Sequence, residues 1–141
     1  MENRIVEIVQ GGINNRNKID TYTNYLEIEK QNAFKKEMYR SYYMFDNTFV
    51  DHVMKHKSVK NYSGLIYPDR IIIDIDKGDI DGESLQNYLR HVCNELFDFG
   101  IDSSHINIWF SGTGYHVELL NVFGFQPNKN LHTKVKATMT E

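Results

Sequence analysis

Two aspartates end a run of β-branched residues, and their spacing is suited to metal chemistry. Asp74 and Asp76 lie one residue apart at the end of an isoleucine-rich segment, 70–76. Side chains alternate across a strand, so both carboxylates should point to one face with Cα atoms ~6.6 Å apart. Two such anions repel unless a cation lies between them. The pattern predicts a site for Mg²⁺ or Mn²⁺, which prefer oxygen ligands. A solvated strand end that carries two acids is the alternative.

A second candidate site follows another apolar segment, 105–110. Its two glycines allow the backbone to approach an anion, and a hydroxyl and an imidazole supply further donors. The segment therefore predicts a phosphate cradle, with a plain hairpin turn as the alternative. It is not a dinucleotide fingerprint, because Val117 stands where the third glycine should be, nor a P-loop, because no Gly-Lys-Ser/Thr follows. The predicted phosphate-binding residues are Ser111, Gly112, Thr113, Gly114 and His116.

The elements between these two sites predict how they come together. Asp81 is placed to cap a helix over 82–99, Glu83 suits its first turn, and Gly100 suits its end. Apolar residues recur at helical spacing from Leu85 to Phe97. We expect a β-α-β unit in which the strands near 70–76 and 105–110 are parallel neighbours and the helix crosses one face.

The rest of the chain predicts an α/β module before this unit. A strand is expected over 5–9, a helix over 22–36 that breaks at the polar run 29–32, and a buried aromatic strand over 37–45. Arg40 interrupts that strand, so it either lies at a strand end or reaches into a site to bind phosphate. A helix over 48–57, capped by Asn47, should turn Phe49, Val53 and Met54 inward. A last helix is expected over 128–141.

The helix over 48–57 also carries two histidines in an i, i+4 arrangement. His52 and His56 could hold zinc, but no Glu-x-x companion pattern and no nearby cysteine supports such a site. Solvated surface histidines are the preferred interpretation. A calcium loop starting at Asp74 is excluded, because Gly78 and Asp79 reverse the order that an EF-hand requires.

Charge and composition bound the class of protein. The net charge is −3, and residues 69–83 hold six acids against two bases. The remaining residues have 14 bases against 13 acids, so the acidity is local to the predicted metal site. Any nucleic-acid contact should be confined to small basic patches, at Lys35, Lys36 and Arg40 or at Lys55, Lys57 and Lys60. The single Cys93 excludes an internal disulfide. With no membrane-length apolar run and no signal peptide, we expect a soluble cytoplasmic protein with no membrane partner.

The two motifs together resemble the catalytic core of archaeo-eukaryotic primases and primase-polymerases. The first motif is Ile72-Ile73-Asp74-Ile75-Asp76, and the second runs from Ser111 to Val117 in the matching order. The segment from Arg40 to Phe45 loosely echoes an upstream arginine-aromatic segment of primases. The resemblance is specific from about residue 37 to 125 and is greatest to the small primases of phages and plasmids.

The resemblance implies a fold, an activity and partners. The fold class is α+β, with an RRM-like β-α-β core and antiparallel additions over 61–141 and an N-terminal module over 1–60, in one structural domain. Asp74 and Asp76 would be the catalytic metal ligands, and Ser111 and His116 would contact the incoming nucleotide's triphosphate. The activity would be template-dependent nucleotidyl transfer from nucleoside triphosphates in phage or plasmid replication. A single-stranded DNA template and a replicative helicase would be partners.

One departure from the primase pattern affects the expected activity. The family's third motif is an acid on a later strand, yet only Glu118 and Glu141 follow Asp102 as acids. Glu118 shares the strand face of His116 and is a candidate substitute. The expectation from sequence is therefore an N-terminal fragment that does not carry out template-dependent synthesis.

Two other function classes remain open at this point. The first is a non-catalytic module that binds nucleotides or single-stranded nucleic acid with the same fold. The second is another D-x-D metal-dependent transferase, such as one using a nucleotide-sugar, for which the motif at 111–116 has no assigned role.

Overall fold

The computed structural model describes residues 4–33 and 35–140, and these form two compact units. One unit comprises the described residues up to 69 together with those from 125 onward, and the other comprises residues 70–124. The described residues contain two three-stranded antiparallel sheets and four α-helices. The mixed α+β class predicted from sequence is therefore confirmed.

The first unit is built around a strand that is buried along most of its length. Strand β1 (Ile5–Gln10) lies between β2 (Lys18–Thr21) and β3 (Met38–Arg40), and both neighbours run antiparallel to it. Helix α1 (Tyr22–Asn32) begins at the N-cap Thr21, whose side chain accepts from the Asn24 amide. The helix continues through the polar run 29–32, where the sequence indicated a break.

The aromatic segment 37–45 is not one long strand, so that prediction was wrong. Only β3 is regular, and the chain then bends at Tyr42 and Tyr43. The Ser41 hydroxyl accepts from the Glu7 amide at 3.1 Å and donates to the Tyr43 carbonyl oxygen at 2.7 Å. These side-chain bonds take the place of the backbone hydrogen bonds that would continue the strand. At the end of the segment, Phe45 forms only an isolated bridge with Ile5.

The second helix of the first unit begins one residue earlier than predicted. Helix α2 (Asn47–His56) has Asp46 as its N-cap, because the Asp46 carboxylate accepts from the Thr48 amide. Phe49 and Val53 are buried as predicted, whereas Met54 is exposed. Met54 directly follows the buried Val53, and one residue corresponds to about 100° of rotation in a helix. Met54 therefore lies to the side of the buried face.

The second unit has a strand order that the sequence did not predict. It contains β4 (Arg70–Ile75), α3 (Gly82–Asp98), a 3-10 turn (Ser103–His105), β5 (Ile106–Phe110) and β6 (Tyr115–Leu120). The order is β4-β6-β5, with β6 antiparallel to both neighbours. Strands β4 and β5 are therefore parallel in direction but not neighbours, and the prediction of adjacency was wrong. The four-residue turn after β5 returns β6 between them.

The two faces of this sheet differ in burial. Ile71, Ile75, Val117 and Leu119 are buried and share one face, because side chains at every second position of a strand point to the same side and Ile71 pairs with Leu119. Helix α3 has the predicted N-cap, Asp81, and carries one apolar stripe that includes the buried Leu85. Phe97 belonged to the predicted stripe but is exposed. The polar face of the sheet carries the candidate site.

After β6 the chain returns to the first unit, so the residues from 125 onward belong to that unit. Ile66 bridges Asn128, and Tyr67 bridges Met44. Helix α4 (Leu131–Thr140) buries Leu131 and Val135. These bridges tie residues 66–67 and the segment from 125 onward to the first unit, so the observed division differs from the sequence-based boundary at 60/61.

Across the described ranges, 4–33 and 35–140, no helix combines the length and apolarity needed to cross a membrane.

Candidate metal and phosphate site

The structure brings the two predicted motifs to the same end of one sheet. Asp74 on β4 is the direct cross-strand partner of His116 on β6. The His116 Nε2 atom lies 3.3 Å from the Asp74 Oδ1 atom, and both side chains are substantially exposed. Residues separated by 42 positions in the sequence therefore form one solvent-accessible acid–imidazole pair.

The second carboxylate of the D-x-D motif lies beside the glycine turn. Asp76 directly follows the end of β4 and is exposed. A Cβ atom added to Gly114 would lie 3.2 Å from the Asp76 Cα atom and well inside van der Waals contact of the Ile75 carbonyl oxygen. Only glycine allows the turn to approach the end of β4 so closely, which places the 111–114 segment next to both aspartates.

The segment 111–114 is the turn of the hairpin that joins β5 to β6. The Ser111 amide donates to the Gly114 carbonyl oxygen at 2.9 Å, and the Gly114 amide donates to the Ser111 Oγ atom at 3.0 Å. Gly112 has φ +101°, which favours glycine. The hairpin interpretation is therefore correct as local structure, and phosphate binding by this turn stays a prediction.

This turn has donors that a bound anion could use. In the part of the chain that the structure describes, the Gly112 and Thr113 amides donate to no protein acceptor. The Gly114 amide, by contrast, donates to the Ser111 Oγ atom. Because the Ser111 oxygen acts as the acceptor in that bond, its own proton stays available for donation.

Glu118 is held away from the pair by two other side chains. One carboxylate oxygen lies 3.0 Å from the Arg70 Nε atom, and the other accepts from the Trp109 indole N–H at 3.0 Å. Glu118 opposes Ile72 rather than Asp74 in the strand register. This environment gives Glu118 a positioning role and does not support it as a third metal ligand.

Arg40 has a structural environment in the first unit. It forms an ion pair with Asp69, donates to the Ser41 carbonyl oxygen, and leaves only 4% of its side chain exposed. Its guanidinium also lies 5.2 Å from the ring centroid of Tyr22. These contacts give the guanidinium a structural role, so the proposal below does not rely on Arg40, whose phosphate role stays a prediction.

Asp81, one of the acids that follow the D-x-D motif, has a local role. The Asp81 carboxylate accepts from the Ser84 backbone amide at 2.7 Å, and this bond is the main cause of the lowered pKa of Asp81.

Among residues 4–33 and 35–140, no three histidine, cysteine or acidic side chains converge as a preformed metal cluster. Two carboxylates nevertheless fit Mg²⁺, which is commonly bound by one or two carboxylates plus waters and substrate phosphates.

The zinc alternative at α2 gains no support from the structure. The His52 and His56 rings lie 4.6 Å apart, centroid to centroid. The His52 Nε2 atom is within hydrogen-bond distance of the Lys60 carbonyl oxygen, at 2.8 Å. This contact accounts for the orientation of the His52 ring without a metal.

Sequence reasoning did not identify Trp109 and Arg70 as part of this face. Trp109 opposes His116 across the β5-β6 hairpin, and Arg70 reaches Glu118 from β4. The position of Trp109 could have been found by counting outward from the turn, since Phe110 pairs with Tyr115 and Trp109 with His116. The position of Arg70 depends on the β4-β6 register, which no local pattern specifies.

Comparisons with known proteins give no further guide to function: no family model, curated protein or solved structure matches this chain.

Proposed function

We propose that the end of the sheet formed by β4, β6 and the 111–114 turn is the metal–nucleotide site of a primase-type nucleotidyl transferase. The observation that carries this proposal is the Asp74–His116 pair, at 3.3 Å, beside a glycine turn with available amide donors. The resemblance of both motifs to primases adds the reaction class. An RRM-like arrangement of the second unit, nucleoside triphosphates as substrates and single-stranded DNA as template are parts of the same proposal.

In the proposed site, the two aspartates would bind a cation, and the turn residues and His116 would bind the phosphate chain of the nucleotide. Asp74 and Asp76 would hold Mg²⁺ or Mn²⁺, which supplies charge stabilisation to the attacking and leaving oxygens of phosphoryl transfer. The Ser111 hydroxyl and the Gly112 and Thr113 amides would donate to phosphate oxygens. His116 would release Asp74 and donate to the triphosphate, because a cation at Asp74 competes with the imidazole for the same carboxylate.

A second candidate function is favoured by one observation. Glu118 is engaged by Arg70 and Trp109, so the proposed site includes two carboxylates and no third. Fixing a second cation for catalysis usually requires another anionic ligand. A module that binds a metal–nucleotide complex without extending a primer would use the same residues.

A nucleotide-incorporation assay separates these two functions. The full chain is incubated with single-stranded DNA, nucleoside triphosphates and Mn²⁺, while nucleotide binding is measured by calorimetry on the same preparation. Incorporation that is lost in the Asp74→Asn/Asp76→Asn double variant supports the transferase. Binding that is lost in this variant, without any incorporation by the wild type, supports the binding module.

A charge-matched control is available in the chain. Asp51 and Asp98 are exposed and lie on α2 and α3, so Asp51→Asn/Asp98→Asn changes the net charge equally without touching the site. Both functions would be rejected if the wild type binds no nucleotide with metal, or if the control loses binding as much as the site variant.

A further inference from the structure

An exposed indole lies next to the acid–imidazole pair on the same face of the sheet. Trp109 on the edge strand β5 is the cross-strand partner of His116, which is in turn the partner of Asp74. The three residues form one row across the sheet, and Trp109 is 58% exposed. Two strand spacings separate Asp74 from Trp109, ~9.6 Å in all. This span is within the length of an extended nucleotide.

The orientation of this indole is fixed by a chain of polar contacts. The Trp109 Nε1–H group donates to the Glu118 Oε2 atom at 3.0 Å, and the Glu118 Oε1 atom lies 3.0 Å from the Arg70 Nε atom. The Arg70 and Glu118 side chains are only 18% and 13% exposed, so the indole is anchored to a well-packed ion pair. An exposed ring that is already held loses little freedom when a ligand stacks on it.

The anchoring also determines what kind of ligand the ring can take. The single polar group of the indole is used by Glu118, so the ring offers its apolar π-face to a ligand. Nucleobases stack on aromatic side chains whatever their sequence, because every base has a π-face. A phosphate chain bound at His116 would place the remainder of a nucleotide on this side of the sheet.

We propose that Trp109 is a stacking platform for a nucleobase, positioned by Glu118 and Arg70. This proposal rests on the proposed function, because the phosphate and metal residues deliver the base to the ring. The base belongs either to the incoming nucleotide or to the single-stranded template. These sources share the same stacking chemistry and are distinguished by the ligands used in the test.

Trp109 is the only tryptophan in the chain, so intrinsic tryptophan fluorescence reports on this residue alone. The wild type is titrated with three probes: a nucleoside triphosphate with Mg²⁺, inorganic tripolyphosphate with Mg²⁺, and a short single-stranded oligonucleotide. We expect quenching by a ligand that carries bases and none by tripolyphosphate. Quenching by the nucleotide alone assigns the ring to the incoming base, whereas quenching by the oligonucleotide without nucleotide assigns it to the template.

Variants show whether the ring contributes to affinity. Trp109→Ala should weaken binding of the quenching ligand about five- to a hundredfold, the usual range for loss of a base–aromatic stack, and leave tripolyphosphate binding unchanged. Phe110→Ala is the matched control, because Phe110 is the next residue on β5, points to the opposite face and is also exposed. Trp109→Phe keeps an aromatic ring and should lose less than Trp109→Ala, which separates stacking from general damage to β5.

The outcomes separate the platform from the site on which it depends. If the nucleotide binds by calorimetry without quenching and Trp109→Ala binds both base-carrying ligands normally, the platform is wrong and the metal–phosphate site stands. If Trp109→Ala weakens tripolyphosphate binding as much as nucleotide binding, Trp109 is structural and the platform is also wrong. If the wild type binds neither phosphate ligand, the proposed function fails and the platform fails with it.

Discussion

His116 occupies the position where the proposed cation and phosphate groups would meet. Its Nε2 atom lies 3.3 Å from the Asp74 Oδ1 atom, and Gly114 is two residues before it in the chain. The imidazole lies against the Asp74 carboxylate in the free chain, and under the proposed function it would donate to phosphate once a cation takes its place at Asp74. Under this proposal the residue would have a different role in the free and bound states.

This arrangement predicts a selective effect of His116→Ala. Binding of a nucleoside triphosphate with Mg²⁺ should weaken by roughly 1.5–3 kcal/mol, the range for a hydrogen bond to a charged group, and nucleoside binding should change little. Isothermal calorimetry with both ligands measures the two losses. Equal losses would identify His116 as a packing residue.

Gly114 and Gly112 are both required by the turn, but for different physical reasons. A Cβ atom at Gly114 would overlap the Ile75 carbonyl oxygen, whereas Gly112 has open space but φ +101°. A backbone overlap forces β4 and the turn apart, while a positive φ only strains the residue itself.

We therefore expect Gly114→Ala to lower the free energy of unfolding by roughly 1–3 kcal/mol or more. Gly112→Ala should cost on the order of 1 kcal/mol. Gly82, at the start of α3, has open space and no positive φ, so Gly82→Ala is a control that should be neutral or slightly stabilising. Urea denaturation measures all three, and a larger loss for Gly112→Ala than for Gly114→Ala would contradict the close approach of the turn to β4.

At the scale of elements, the sequence predicted local structure better than pairing. The caps and lengths of α3 and the strands around both motifs follow from residue types, because capping and periodicity are local properties. The order β4-β6-β5 could not be obtained in this way, since the hairpin could have placed β6 on either side of β5. The segment 37–45 was misjudged because side-chain bonds from Ser41 end the strand, and propensity does not register such bonds.

In the first unit, β1 carries a buried carboxylate that depends on a single cation. Glu7 accepts from Arg16 through both carboxylate oxygens, each at 2.8 Å, and from the Asn17 amide at 2.9 Å. Burial alone would raise the pKa of Glu7, but these hydrogen bonds and the charge of Arg16 together lower it. Arg16 itself is about half exposed, so its charge is partly screened.

Because the pKa of Glu7 is lowered on folding, its contribution to stability is present above its ordinary pKa of 4.5 and is lost as the pH falls through the folded value. Glu7→Gln should lower the free energy of unfolding at pH 7 by about 1–2 kcal/mol. The difference from wild type should shrink below pH 4.5. Denaturation across pH measures this, with the exposed Glu27→Gln as control. A difference that stays constant down to about pH 3 would show that the ion pair contributes nothing.

At the scale of the whole molecule, the excess negative charge is concentrated in one segment of the chain. The six acids within 69–83 give that segment a net charge of −4, while the rest of the chain is close to neutral. Sequence alone identified this local acidity and both motifs. It did not show that Glu118 anchors Trp109 or that Arg40 is buried beside Asp69, because each of these depends on a contact between residues distant in the chain.

Relief of this local repulsion predicts stabilisation by ligand. Mg²⁺ or Mn²⁺ with a nucleoside triphosphate should raise the melting temperature, and a ligand concentration about a hundredfold above Kd would add about 2.7 kcal/mol of stability. The rise should vanish in Asp74→Asn/Asp76→Asn and persist in Asp51→Asn/Asp98→Asn. Thermal denaturation followed by circular dichroism measures it. An equal rise in the first double variant would assign binding to another part of the chain.

The most direct test of a single shared site is a double-mutant cycle for nucleotide affinity. Calorimetry gives the Kd of Mg²⁺-nucleoside triphosphate for the wild type, Asp74→Asn, His116→Ala and the double variant. Residues that act on one ligand at contact distance should be coupled, so we expect an interaction free energy of roughly 0.5–3 kcal/mol between Asp74 and His116. The same cycle between Asp98→Asn and His116→Ala should be additive. Additive losses for Asp74 and His116, or no loss in either single variant, would contradict the proposed metal–phosphate site.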